Sequence, residues 1–179
     1  TPAPCKLVEE DYEKYKYYFQ GYPPNPETSG TVLPMEVEFA ARNIREQMGW
    51  SPEHPLRMAA LIETGAWTDL FVKELTGEEQ AFYPGWLSNL NVKLTKLTKM
   101  SARATDLTAE LTGIAATDPH MIYVLAAWGE GAVYTKQKHE LGIRAMELGI
   151  IALAMKLDYW DITNGACNYE LSISPFSPV

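Results

Sequence analysis

The chain has 179 residues, 46% hydrophobic and 21% charged, and carries a net charge of −8. That size and composition fit one globular domain with a single sizeable core and exclude a disordered chain. The acidic balance excludes a general nucleic-acid binder, which needs a basic face, and disfavours docking on an anionic membrane.

The chain opens on Thr1 with no methionine. Excision of an initiator methionine before a small residue would produce that start, and so would removal of a targeting peptide. The expected protein is soluble, either cytoplasmic or exported to another compartment. Its first segment, Leu7 to Gln20, is tyrosine-rich. Val8, Tyr12, Tyr15 and Phe19 fall on a helical stripe, and Gly21 ends it. Tyr17, Tyr18 and Tyr22 lie off that stripe. Aromatic rings with hydroxyl tips suit half-buried surfaces, so Tyr12, Tyr17, Tyr18 and Tyr22 are candidate interface residues, on the chain's own core or on a partner. Tyr22 to Gly30 holds three prolines in four residues and reads as a stiff linker. Residues 1–30 thus form an arm and spacer.

Pro34 to Met48 is an amphipathic helix with Val37, Ala40, Ala41, Ile44 and Met48 on one face and Gly49 as its stop. Ser51-Pro52 marks a second helix start, and the pattern extends to about Leu75, with Ala59, Ala60, Glu63, Ala66, Trp67, Leu70 and Phe71 inward. Trp86 to Thr112 reads as a long helix with a near-heptad seam of Leu87, Leu90, Leu94 and Leu97. Lys93, Lys96, Lys99 and Arg103 share a side of that helix, as a solvated basic face or as a surface that meets an acidic partner or another subunit.

Asp118 to Trp160 holds the longest apolar segments and reads as two core helices, or one long kinked one. Asp118-Pro119 looks like a capped helix start. Met121 to Trp128 is apolar throughout, as in a helix buried on all sides. Gly129 and Gly131 demand close packing, a kink or a break. Gly142, Ala145, Gly149 and Ala152 then form a stripe of small residues along which another backbone can approach, inside the chain or between subunits. The uncharged run from Leu148 to Met155 is eight residues, far short of the roughly 20 that span a bilayer. The expected fold is all-α: a bundle of about four or five helices over residues 31–160, with an irregular tail over 161–179.

Familiar chemical signatures are missing. There is no GxGxxG, P-loop, CxxC, HExxH or GxSxG, so no cofactor is indicated. No histidine follows a glutamate at di-iron spacing, so no metal is assigned. Cys5 and Cys167 are either two unrelated thiols or one disulfide joining the flanks. What remains is a diffuse set. Glu63 and Glu130 are acids on apolar faces, Trp67 and Trp128 neighbour them, and His139 lies beside them in the central stretch. Together these five are the candidate ligand-binding residues. The bland alternative pairs each acid with an arginine such as Arg57 or Arg144.

Two functions follow. The first is a non-catalytic structural or accessory subunit, acting through protein partners or self-association, and suggested by the tyrosines, the linker and the small-residue seam. The second is a small-molecule-binding protein or enzyme using the acids and aromatics of the bundle core. The lack of a catalytic signature leans against an enzyme.

Overall fold

A computed structural model describes residues 11–15, 28–80, 82–168 and 170–172. One helical turn, α1 (Tyr12–Tyr15), lies in the arm. The side chain of Tyr12, and Tyr17, Tyr18, Tyr22 and Cys5 altogether, lie outside the described residues. A π-helical turn, Thr28–Val32, leads into α2 (Leu33–Met48). There follow β1 (Leu56–Glu63), α3 (Asp69–Thr76), α4 (Trp86–Asn89), β2 (Val92–Met100), α5 (Thr108–Ala115), β3 (Met121–Ala126), α6 (Glu130–Glu140), β4 (Met146–Ile151) and α7 (Tyr159–Ile162).

The four strands form one parallel sheet in the order β2-β1-β3-β4. Its two faces carry separate cores. On the first face Met58, Ala60, Ile62, Tyr123 and Leu125 pack under α2, α3 and α4 through Leu33, Val37, Phe71, Leu75 and Trp86. On the second, Ala59, Leu61, Ile122 and Val124 pack under α5, α6 and α7 through Leu111, Ile114, Tyr134 and Tyr159. Each fully buried Leu, Ile or Phe contributes about 1.5–3 kcal/mol. The expected all-α bundle is therefore corrected to a three-layer α/β sandwich.

The reason lies in the strands. A parallel strand covered by helices on both faces shows no polar alternation, only a continuous apolar run. Every residue of β1 except Arg57 is buried, and all six of β3 are. Their runs, MAALI and MIYVLA, therefore read as fully buried helix. β2 misleads differently. Met58 pairs with Leu94 but Ala59 pairs with Lys96, so Thr95 is one extra residue, a bulge. The Thr95 hydroxyl donates to the Met58 carbonyl at 3.1 Å. The bulge resets the alternation and turns Val92, Leu94 and Leu97 toward the same core. A spacing of three between same-face leucines then imitates a helical seam. Lys93, Lys96 and Lys99 sit on this edge strand, where charge discourages pairing with foreign strands.

The small-residue stripe dissolves as well. Gly142 has φ +65° and ends α6, with its N–H donating to the His139 carbonyl at 3.0 Å. Gly149 lies in β4 at φ +120°, where an added Cβ would fall on the Val124 carbonyl oxygen. Neither glycine lies on a helix seam, because that stretch is a loop, a strand and a 3₁₀ turn. Asp118 does not cap a helix. It follows α5 in a left-handed conformation (φ +47°) and meets Arg57 at 2.6 Å, an exposed pair of little energetic weight. Pro34 to Met48 forms as expected. Val37, Ala40 and Ala41 are buried in α2 and Gly49 is left-handed beyond it, although Met48 points outward, 58% exposed.

Candidate functional site

The chain passes from β1 to β2 along the first face, then returns past β1 to β3 along the second. The loops leaving the carboxyl ends of β1 and β3 therefore diverge, and an open parallel sheet binds its ligands in the crevice between them. Glu63 is the last residue of β1, and Glu130 is the first of α6, four residues after β3 ends.

Both acids are buried, Glu63 at 3% and Glu130 at 0% exposure. Each is satisfied largely by backbone N–H groups, at least one of them from another loop. The Ala127 N–H donates to Glu63 Oε2 at 2.7 Å. The Arg103 N–H donates to Glu130 Oε2 and the Trp128 N–H to Glu130 Oε1, both at 2.8 Å. Glu130 thus ties the loop after β2 to the loop after β3, and its charge suits a helix N-terminus. Burial holds the Glu63 carboxyl above the ordinary carboxylate range. The Ala127 N–H draws it back, and the adjacent Glu130 pushes it further up.

The β1 loop is held by Thr68, fully buried, whose hydroxyl meets the Glu63 and Gly65 carbonyls at 2.8 Å each. The Trp67 indole lies against the Glu63 carboxyl and packs edge-on to Phe71 at 6.2 Å. Trp128 turns outward, 51% exposed, and the Arg103 guanidinium lies over its ring at 5.0 Å. That contact is a cation–π pair at the mouth of the crevice. Thr64, Ala66, Ser101 and Gly129 expose the rest of the rim. Gly131 brings the first turn of α6 close, since a Cβ there would lie 2.6 Å from Ile151. The two glycines noted in sequence thus divide the work: Gly129 precedes the helix and Gly131 allows it to dock.

The structure gathers Glu63, Trp67, Trp128 and Glu130 at this one place. It does not gather His139, which is exposed in the last turn of α6, about 13 Å along the helix axis from Glu130. Neither acid forms the arginine side-chain pair that was the alternative reading. Thr68 and Arg103 were missed as site residues. The apolar run ending in Glu63-Thr64-Gly65 is the available signal for a strand end, whereas Arg103 reads in the sequence as part of a helix's basic face. Among the described residues no three His, Cys, Asp or Glu side chains converge as metal ligands. His54 and His120 lie near the amino ends of the strands, flanking Trp50 at 3.9 and 5.2 Å. His120 accepts the Arg57 N–H on Nδ1 at 3.1 Å, and burial with the Arg57 charge holds its pKa down. Cys167 is half-buried beside the second core.

Among the described residues no helix is long and apolar enough to cross a membrane. No protein-family model matches the chain, and no curated protein matches its sequence. Solved structures do match its fold. A protein described as a branched-chain amino acid ABC transporter from Silicibacter pomeroyi superposes over 90% of this chain with a TM-score of 0.62 at 14% identity. A protein described as an ABC transporter permease from the Pseudomonas fluorescens group matches 85% at 0.61 and 12% identity. An extracellular ligand-binding receptor from Rhodopseudomonas palustris matches 76% at 0.55 and 14% identity. This chain spans 37%, 33% and 35% of those chains, about a third of each. The expectation of a non-catalytic structural subunit is corrected accordingly. It rested on a helical bundle with a small-residue seam, whereas the chain has a parallel α/β fold similar to that of ligand-binding proteins.

Proposed function

We propose that this chain forms a small-molecule-binding lobe whose ligand rests in the crevice over the carboxyl ends of β1 and β3. The observation that carries the reading is the convergence of Glu63, Glu130, Trp67, Trp128 and Arg103 at the point where the strand order reverses. The buried acids set the loops. Trp128 and Arg103 face the ligand, the ring offering apolar area and the guanidinium a planar fork for a carboxylate. An amino acid or similar small organic acid fits these contacts, and the fold likeness to proteins described as branched-chain amino acid transporters and an extracellular receptor supports that class. The same likeness supports an exported protein that hands its ligand to a membrane transporter.

The test is thermal unfolding and calorimetry against a panel of L-amino acids and small carboxylates. A ligand at 100 times its Kd should stabilise the chain by about 2.7 kcal/mol. Arg103→Ala and Trp128→Ala should each remove that shift while leaving the unliganded melting temperature close to wild type. A panel without effect, or a ligand indifferent to both substitutions, would overturn the assignment.

A further inference from the structure

A second cluster of ionisable groups lies away from the crevice, on the outer side of β4. Residues 170–172 run along the free edge of that strand. Glu170 bridges Glu147 in parallel, the Leu171 N–H donates to the Glu147 carbonyl at 3.3 Å, and the Ser172 hydroxyl bonds to Ile151 and Gly149 backbone at 3.2 and 3.3 Å. The pairing puts the buried Glu147 carboxyl beside the half-buried Glu170 carboxyl. Glu147 is 1% exposed. Lys138, from α6, is the one cation facing it among the described residues, at 3.4 Å. Tyr134 of α6, fully buried, also faces Glu147. Glu170 accepts from the Tyr159 hydroxyl of α7 at 3.2 Å, and that hydroxyl also meets Thr135 at 2.8 Å. Two carboxyls against a single lysine leave one negative charge without compensation if both ionise, with the Glu147 carboxyl itself cut off from solvent.

We propose that residues 170–172 act as a proton-dependent latch, held on the β4 edge while Glu147 and Glu170 share one proton and released when that proton is lost. The shared proton supplies the donor that a carboxylate pair otherwise lacks. Its loss places like charges side by side, and the only one of the two free to leave is Glu170, since Glu147 is anchored in the sheet. Burial, and then the neighbouring Glu170, push the Glu147 carboxyl up to about 8, so the hold on the segment weakens as pH rises from the ordinary carboxylate range through about 8. The device acts at the sheet edge and is independent of ligand binding in the crevice.

The experiment is hydrogen–deuterium exchange of the Leu171 amide from about pH 6 to about pH 9, corrected for the intrinsic rate. Protection in the wild type should fall by up to about tenfold per pH unit as pH rises through about 8 and level off above it, as expected for one proton held more tightly on the latched segment. Glu147→Gln should remain protected to about pH 9, and Lys138→Ala should move the loss to higher pH, because the lysine draws the Glu147 carboxyl down. Glu170→Gln, on the segment itself, gives the same prediction as Glu147→Gln without touching the sheet, should the latter fail to fold. Protection that stays constant with pH in the wild type, or a Gln variant that titrates like the wild type, would overturn the latch.

Discussion

Replacing Glu130 by glutamine tests whether this residue organises the crevice. The side chain is fully buried, and its two oxygens receive backbone N–H groups from separate loops, Arg103 and Trp128, at 2.8 Å each. A hydrogen bond to a charged group contributes about 1.5–3 kcal/mol. Glutamine retains one oxygen and turns an NH₂ toward the other backbone N–H, so one of the two bonds is lost and a donor is left facing a donor. The expected cost is about 2–3 kcal/mol. For a chain of this length that lowers the melting temperature by about 4–12 °C. The cost should shrink as pH rises, because the charge removed lies beside Glu63, whose carboxyl is held above its ordinary range partly by Glu130. Circular dichroism melts at mildly acidic and mildly alkaline pH give the stability, and exchange of the Arg103 and Trp128 amides gives the loops. A melting temperature within about 1 °C of wild type, with both amides still protected, would refute the idea that Glu130 holds the two loops.

Further outcomes follow from other contacts. The Glu36 carboxyl on α2 lies against the Tyr123 hydroxyl and the Gly149 N–H, and burial raises it from 4.5 to about 7. Because the folded pKa lies above the unfolded one, its contribution is fully present below about 4.5 and is lost as pH rises through about 7. Glu36→Gln should therefore match wild type at low pH and exceed it above neutrality, by at most ~3 kcal/mol in urea unfolding. Equal stability at both pH values would count against the buried-carboxyl account. Gly149→Ala should cost at least ~2–3 kcal/mol by thermal melting, because the new Cβ meets backbone rather than a movable side chain and φ is strained. A neutral effect would show that β4 relaxes freely at that point.

The sequence alone determined the helix α2 and its glycine stop, because amphipathic spacing and a left-handed terminator act within one turn and need no partner. It also singled out Glu63, Trp67, Trp128 and Glu130, because a carboxylate in an apolar run is anomalous in any fold. Only the tertiary structure decided that the runs around them were strands. Burial on both faces removed the alternation from β1 and β3, the extra Thr95 in β2 produced a three-residue leucine spacing, and Gly149 proved to be a point of backbone contact in a sheet rather than of helices. It also decided which candidates meet. Glu63 and Glu130 lie 67 positions apart in sequence and become neighbours because β3 pairs beside β1. His139 shares a helix with Glu130 yet points away at its far end. Proximity along the chain says little about proximity across a parallel sheet, since each crossover carries a whole helix between adjacent strands.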